Sequence, residues 1–303
     1  MSTPSFRLPS FAKINWSLRI LGRRQDGYHE IRTLLQTISL QDEIEFSGRE
    51  TQNIVLSCND PGIPLDDRNL IVRAAQALRD RFNVSAGATI HLEKRIPAKG
   101  GLGGGSSNAA VALLGLAKLW NLPANLGDLH EIGARLGADV PFFLVGGCAL
   151  ATGTGTDIET IANDGHKYLV IVTPTATVAT ESAYEALKAP ALTTSEEASI
   201  LSISHAAGGL DVSHLWAPRN DFEDVIFAAE PETERARTAL LEVGAGSPLL
   251  AGSGSSVFGI FESKEEQERA VREMEAETGW RVFPAVTVSR DEYQRALGTC
   301  IFK

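Results

Sequence analysis

Five glycines in six residues, Gly100, Gly101, Gly103, Gly104 and Gly105, constrain this chain more than any other feature. Thr89 to Ile96 reads as a strand, and Asn108 to Trp120 is a continuous run of good helix formers, apolar nearly all round. A helix with no polar face has to be buried. The glycine run therefore joins a strand to a buried helix. Bare backbone lets amide N–H groups approach an anion closely, and the helix N-terminus adds about half a positive charge. A nucleotide triphosphate needs both. A glycine-rich hairpin or helix cap is the alternative, but turn chemistry alone does not require five glycines at such a junction.

The familiar phosphate motifs do not fit. A GxxxxGK[ST] loop needs a lysine before Ser106 or Ser107, and none stands there. A GxGxxG fingerprint starting at Gly101 meets Ser106 where its third glycine belongs. No GxSxG nucleophile elbow occurs. This is a phosphate loop of another kind.

Phe11 to Leu21 alternates, with Ala12, Ile14, Trp16, Leu18 and Ile20 on one side and Lys13, Asn15 and Ser17 on the other. That period of two predicts a half-buried strand with a polar face. Asp26-Gly27 marks a turn, and Tyr28 and His29 follow it directly. Gln36–Leu40, Glu43–Phe46 and Ile54–Cys58 also read as strands. Leu70, Ala74, Leu78 and Phe82 recur at helical spacing behind Asp66, Asp67 and Asn69, which offer N-cap oxygens. Asp128 to Leu136 is a further helix, with Gly137 as its stop.

Beyond Gly153-Thr-Gly155 the pattern changes. It predicts a strand over Tyr168–Thr173, helices near Ser182–Leu187, Glu196–Ser204 and Glu232–Val243, and a strand pair within Leu249–Phe261. That pair encloses Gly252-Ser-Gly-Ser-Ser256, which a tight turn explains as well as a ligand site does. A charged helix, Lys264–Thr278, and a strand, Arg281–Val288, follow. Strands with helices between them, without strict alternation, predict α+β layers in two domains, 1–155 and 156–303.

Asp139, in Gly137-Ala-Asp-Val-Pro-Phe-Phe143, is a ready N-cap, or else a carboxylate that orients an acceptor hydroxyl and takes its proton. Lys13 lies on a solvated strand face, or with Asn15, Tyr28 and His29 it lines a pocket for a flat polar ring. Bulk properties exclude other classes. A net charge of −10 with no basic cluster argues against nucleic acid and anionic membranes as partners. No window approaches the roughly 18 apolar residues of a membrane span, and the first ten residues lack a secretory pattern. Cys58, Cys148 and Cys300 show neither CxxC spacing nor neighbouring histidines, so they read as reduced structural thiols. A cytoplasmic enzyme is the expectation.

Taken together, these blocks resemble the GHMP small-molecule kinase superfamily. Its loop pattern, P-x-x-x-G-L-G-S-S-x-A-A, is matched by Pro97-Ala-Lys-Gly-Gly-Leu-Gly-Gly-Gly-Ser-Ser-Asn-Ala-Ala110 in a form two glycines longer. Ala12-Lys-Ile-Asn15, Gly22 to Glu30, Gly137 to Pro141 and Gly252 to Ser256 narrow the resemblance to the branch whose acceptor carries a cytidine diphosphate. The resemblance implies an S5-like N-terminal domain, a ferredoxin-like C-terminal domain and a site between them. It implies ATP as co-substrate with Mg²⁺. Pro97, Gly101, Leu102, Gly103, Gly104, Gly105, Ser106, Ser107 and Asn108 would hold the phosphates, with the Ser107 hydroxyl near the metal. Asn69 and Lys94 would line the adenine pocket, and Lys13 and Asp139 would form the catalytic pair. Asn15, Tyr28, His29 and Thr180 would face the cytidine-diphosphate acceptor, with Tyr28 stacked on cytosine. Two residues depart from the pattern: Lys99 stands where the family usually carries glycine, and Trp16 replaces a smaller apolar residue. The rivals are a mevalonate, homoserine or sugar kinase of the same superfamily, and a nucleotide-binding sensor without catalysis. A sensor would lack the base or the lysine, and a mevalonate or homoserine site has no cytosine to hold.

Overall fold

The structure is a computed structural model that describes residues 5–162, 165–175, 180–192 and 218–298. The alternation at the start of the chain produces a long antiparallel pair, β1 (Ser5–Arg23) and β2 (His29–Arg49). Asp26 closes the turn between them, its carboxylate accepting from the Tyr28 amide at 3.1 Å. The strands predicted over Gln36–Leu40 and Glu43–Phe46 are one strand, and both β1 and β2 outrun their predicted ends. Register shifts in the pair explain the difficulty, because each bulge interrupts the period of two on which the prediction rests.

The length of β2 gives it three neighbours. Its second half pairs with β4 (Gly87–Glu93), and its first half pairs on the same edge with β5 (Cys148–Thr152). β3 (Ile54–Cys58) lies parallel beside β4, and β6 (Asp157–Ile161) antiparallel beside β5. Four helices cover one face: α1 (Leu70–Phe82), α2 (Gly104–Leu119), α3 (Leu126–Leu136) and the short α4 (Val140–Val145). Every residue of α2 from Ser107 to Ala117 is buried, as its lack of a polar face predicts.

The second sheet contains β7 (Tyr168–Pro174), β9 (Gly246–Leu250), β10 (Val257–Phe261) and β11 (Trp280–Val286), in the order β11-β7-β10-β9 and antiparallel throughout. Between them in sequence come α5 (Thr180–Leu187), the two-residue β8 (Arg219–Asn220), α6 (Glu223–Ala229), α7 (Pro231–Glu242) and α8 (Lys264–Met274). This is the ferredoxin-like arrangement that the resemblance implies. The helix predicted over Glu196–Ser204, and Cys300, lie outside the described residues.

The two sheets pack face to face. Ala12, Ile14, Trp16 and Ile38 meet Leu169, Ile171, Leu249 and Phe258 in a dry middle layer. Trp16 packs edge-on to Phe258 with ring centroids 5.9 Å apart, so the larger side chain serves the contact between sheets. Three elements cross the predicted boundary at residue 155. The first sheet continues through β6 to Ile161, and β8 adds to β1 in parallel. The last described helix, α9 (Arg290–Leu297), returns to the first core. There Tyr293 packs on Phe11 and donates to the Phe143 carbonyl. Gly146 lies under that tyrosine with φ +66, and a Cβ there would sit 2.1 Å from the ring. No helix among the described residues is long and apolar enough to cross a membrane.

Candidate active site

The glycine loop leaves β4 and runs between the two sheets. Lys99, Gly101 and Gly103 all have left-handed φ, at 59°, 76° and 70°. Close approach explains the glycines as much as conformation does. A Cβ on Gly101 would lie 1.8 Å from the Ala251 carbonyl oxygen, and one on Gly103 would lie 2.8 Å from the Phe143 ring. The second glycine cluster, which sequence leaves open between a tight turn and a ligand site, packs against the first. Ser256 donates to the Gly100 carbonyl at 3.2 Å, and the Gly252 amide donates to Asn15 Oδ1 at 3.0 Å. Asn220, at the start of the second unit's helices, holds the Leu250 and Gly252 carbonyls through its amide at 2.8 and 2.7 Å.

Helix α2 opens from this loop with Gly103 at its N-cap, which supplies no side-chain cap, and with no acidic residue in its first turn. By contrast α3, α8 and α9 each have a side-chain cap and acidic first-turn residues. The first amides of a helix have no partner within it. At α2 those of Gly104, Gly105 and Ser106 are left for a ligand, and all three residues line a cavity of about 510 Å³. Lys13, Asn15, Asn69, Lys94, Pro97, Gly101, Leu102, Gly103, Asn108 and Asp139 also line it.

Asp139 stands at the N-cap position of α4, yet its side chain accepts from no helix amide. The capping role that position alone suggests is not used. Its Oδ2 instead lies 3.6 Å from Lys13 Nζ, an ion pair beyond hydrogen-bond length. The Lys13 side chain is 5 % exposed and that of Asp139 36 %, so the lysine is enclosed while the carboxylate reaches the cavity. Asn15 holds the lysine. Its Oδ1 accepts from Lys13 Nζ at 2.9 Å, and its Nδ2 donates to Thr33 at 2.7 Å. Both ends of this amide are engaged inside the protein, and it positions Lys13.

Ser17 does not follow Lys13 and Asn15 into the cavity. The bulge between Asn15 and Ser17 shifts the alternation, so Leu18 lines the cavity instead, and the Ser17 hydroxyl is buried without a hydrogen-bond partner. Ser107 likewise turns inward. It is fully buried and its hydroxyl accepts from Ser10 at 2.8 Å, whereas Ser106 lines the cavity, with its hydroxyl near Gly137. The serine presented to the site is Ser106, because neighbours on a helix point about 100° apart.

Asn69, Lys94 and Asn108 line the cavity with their polar ends already engaged. Asn69 caps α1 through Ile71 and donates to the Pro64 carbonyl. Lys94 pairs with Asp42 at 2.9 Å and donates to the Ile96 carbonyl. Asp42, fully buried, accepts further from the amides of Arg95 and Ile96 and from Asn108 Nδ2. Burial pulls the Lys94 ammonium below its ordinary value, against the opposing pull of Asp42. This cluster fixes the strand end from which the glycine loop departs. Replacing Lys94 by Met leaves the buried Asp42 without its cationic partner, and is expected to cost about 3 kcal/mol of stability in urea unfolding.

Tyr28 is 67 % exposed at the hairpin turn and does not line the cavity. His29 reaches it through Tyr184, whose ring stacks on the imidazole at 4.7 Å and 23°. Tyr184 in turn meets Phe222 edge-on at 4.9 Å, and both line the cavity. Burial lowers His29, and Arg23 adds to this, so the ring is neutral near pH 7. Burial, and next the charge of Asp139, push the Tyr184 phenol up to about 12. Sequence reasoning missed Tyr184. Thr180 opens α5, and its side chain lies outside the described residues.

Comparison with known proteins bears on this geometry. The sequence profile described as GHMP kinases N terminal domain matches residues 69–147, and that described as GHMP kinases C terminal matches 200–279. A protein of Prosthecochloris aestuarii named 4-diphosphocytidyl-2-C-methyl-D-erythritol kinase is 40 % identical over 288 residues, covering 93 % of this chain and 98 % of the relative. A Bacillus cereus protein of the same name is 38 % identical over 258 residues, covering 85 % and 89 %. Among solved structures, a 4-(cytidine 5'-diphospho)-2C-methyl-D-erythritol kinase superposes with a TM-score of 0.74 at 32 % identity, covering 93 % of this chain and 99 % of the other. A homoserine kinase from Cytophaga hutchinsonii shares the fold, with a TM-score of 0.67 at 19 % identity over 93 % and 95 %.

Proposed function

Since this chain belongs to the GHMP kinases, we propose that it transfers the γ-phosphoryl group of ATP to the 2-hydroxyl of 4-diphosphocytidyl-2-C-methyl-D-erythritol, a step toward isoprenoid precursors by the non-mevalonate route. The observation that carries the reading is the placement of Lys13 and Asp139, 3.6 Å apart, in one cavity with an uncapped helix N-terminus. Phosphoryl transfer requires positioning and charge stabilisation more than covalent chemistry. The free amides of Gly104 to Ser106 receive the phosphate oxygens. Asp139 orients the acceptor hydroxyl and takes its proton. Lys13, held by Asn15, faces Asp139 and stands where charge develops on the transferred group.

Magnesium is held largely by phosphate oxygens and water, with one or two protein oxygens. Ser106, which lines the cavity, offers its hydroxyl to such a site. The ion would neutralise phosphate charge there.

The aromatic end of the cavity supports a base-bearing acceptor over mevalonate or homoserine. His29 stacks on Tyr184 and Phe222 meets that ring edge-on, with Tyr184 and Phe222 lining the same cavity as Lys13 and Asp139, and a neutral Tyr184 offers a π face and a phenolic donor. In this reading Tyr184 receives one face of cytosine and Tyr28, exposed on its turn, covers the other. Replacing Tyr184 by Ala is then expected to raise the acceptor KM about tenfold while the ATP dissociation constant changes less than about twofold. Equal losses for both ligands would give Tyr184 a structural role instead. The direct test is ADP release with Mg-ATP and each of 4-diphosphocytidyl-2-C-methyl-D-erythritol, mevalonate and homoserine. Turnover with the cytidine compound alone is the expected result, and turnover with either other acceptor would overturn the assignment.

A further inference from the structure

Four cationic residues line the cavity: Lys13, Arg68, Lys94 and Lys99. Three have a carboxylate partner. Lys13 lies 3.6 Å from Asp139, Arg68 2.7 Å from Asp66, and Lys94 2.9 Å from Asp42. Lys99 has neither an ion pair nor a hydrogen bond among the described residues, and it is exposed. It also sits on the glycine loop itself, two residues before Gly101, with φ +59. That region of backbone space is costly for any residue with a Cβ, and glycine is the residue that relieves it. Lys99 thus combines local strain with an unpaired charge at the mouth of an anion site. Strain of this kind persists where it serves a function.

We propose that Lys99 is a nucleotide-binding residue of this chain, its ammonium supplying a charge contact to the terminal phosphates of ATP that the loop amides alone do not provide. The inference rests on reading the loop as an ATP site. The cavity's own positive charge is otherwise spent on Asp139, Asp66 and Asp42, so a polyphosphate entering it meets one uncommitted cation. An exposed ammonium facing several phosphate oxygens is screened by salt, and its contribution falls as ionic strength rises. The contact discriminates by phosphate count, because AMP has no terminal phosphates for Lys99 to reach.

The test measures ATP, ADP and AMP dissociation constants by calorimetry, without acceptor, for the native protein and the variants Lys99→Gly, Lys99→Asn and Lys99→Arg. Gly and Asn both tolerate left-handed backbone, so neither adds strain. Lys99→Gly and Lys99→Asn are expected to weaken ATP about fivefold and AMP less than about twofold, with Lys99→Arg close to native. Native ATP affinity should also fall more steeply with salt than that of Lys99→Gly, and the Lys99→Gly Tm should be no lower than native. Three results would overturn the proposal: unchanged ATP affinity in Lys99→Gly, equal loss for ATP and AMP, or a Lys99→Arg variant as weak as Lys99→Gly. If the native protein bound no ATP, the nucleotide reading itself would fail with it. ATP binding without turnover of the cytidine acceptor would remove only the acceptor assignment.

Discussion

Asp139→Asn is expected to lower turnover by a factor of about 10² or more while ATP binding stays within about twofold of native. The substitution is nearly isosteric and the Asp139 side chain caps no helix amide, so α4 loses nothing when the charge goes. What disappears is the acceptor of the hydroxyl proton and the anion facing Lys13 at 3.6 Å. Lys13 remains held by Asn15, so the change is confined to the chemistry. Single-turnover kinetics and ATP calorimetry on one preparation separate the two quantities. Turnover near native would remove Asp139 from the mechanism. Because Lys13 and Asp139 act on the same atoms, the double variant Lys13→Met with Asp139→Asn should lose much less than the product of the single losses.

Gly101→Ala is expected to be the most damaging small change in the loop. The added methyl would lie 1.8 Å from the Ala251 carbonyl oxygen on a backbone with φ +76. That carbonyl cannot swing away freely, since it accepts from the Gly254 amide at 2.9 Å and the Ala251 amide is tied to Ser256. Left-handed strain and overpacking together predict a loss of about 3 kcal/mol in urea unfolding, and ATP affinity should fall by more than about tenfold. Gly105→Ala is the internal control. A Cβ there meets only the Leu70 side chain at 3.9 Å, within a helix where alanine is favoured over glycine. Its stability should match or exceed native. Equal stabilities for the two variants would mean that the two glycine turns do not need to touch.

Lys13 and Asp139, the two members of the cavity's ion pair, were legible as candidates because each carries its own local signature, an alternating strand around Lys13 and a Gly-Ala-Asp-Val-Pro turn around Asp139. The glycine loop was legible as a strand–helix junction that turn chemistry could not explain. Other parts depended on phase or distance that a linear reading does not contain. Ser106 and Ser107 are equivalent in composition, and only the rotation of α2 decides which hydroxyl meets the cavity. Ser17 was misplaced because one bulge, invisible as a pattern, exchanges it for Leu18. Asp42 sits where the alternation of β2 breaks, so a buried acid with its own cation looked like a gap between strands. Tyr184 and His29 meet across more than a hundred residues, and neither has a local pattern that announces the stack. Helix α9 did carry a signal, the capping box Ser289-Arg-Asp-Glu292, in a stretch otherwise short of apolar periodicity.

The return of α9 has a consequence for how the chain is made. Val288, Tyr293 and Leu297 complete a hydrophobic cluster whose other buried members are encoded between Leu8 and Ala151. At about 5–20 residues per second, that cluster waits several seconds or more after its last N-terminal member is synthesised. During that time the second sheet emerges and can form by itself, while the first remains open beneath α4. The unit translated first is thus the one finished last.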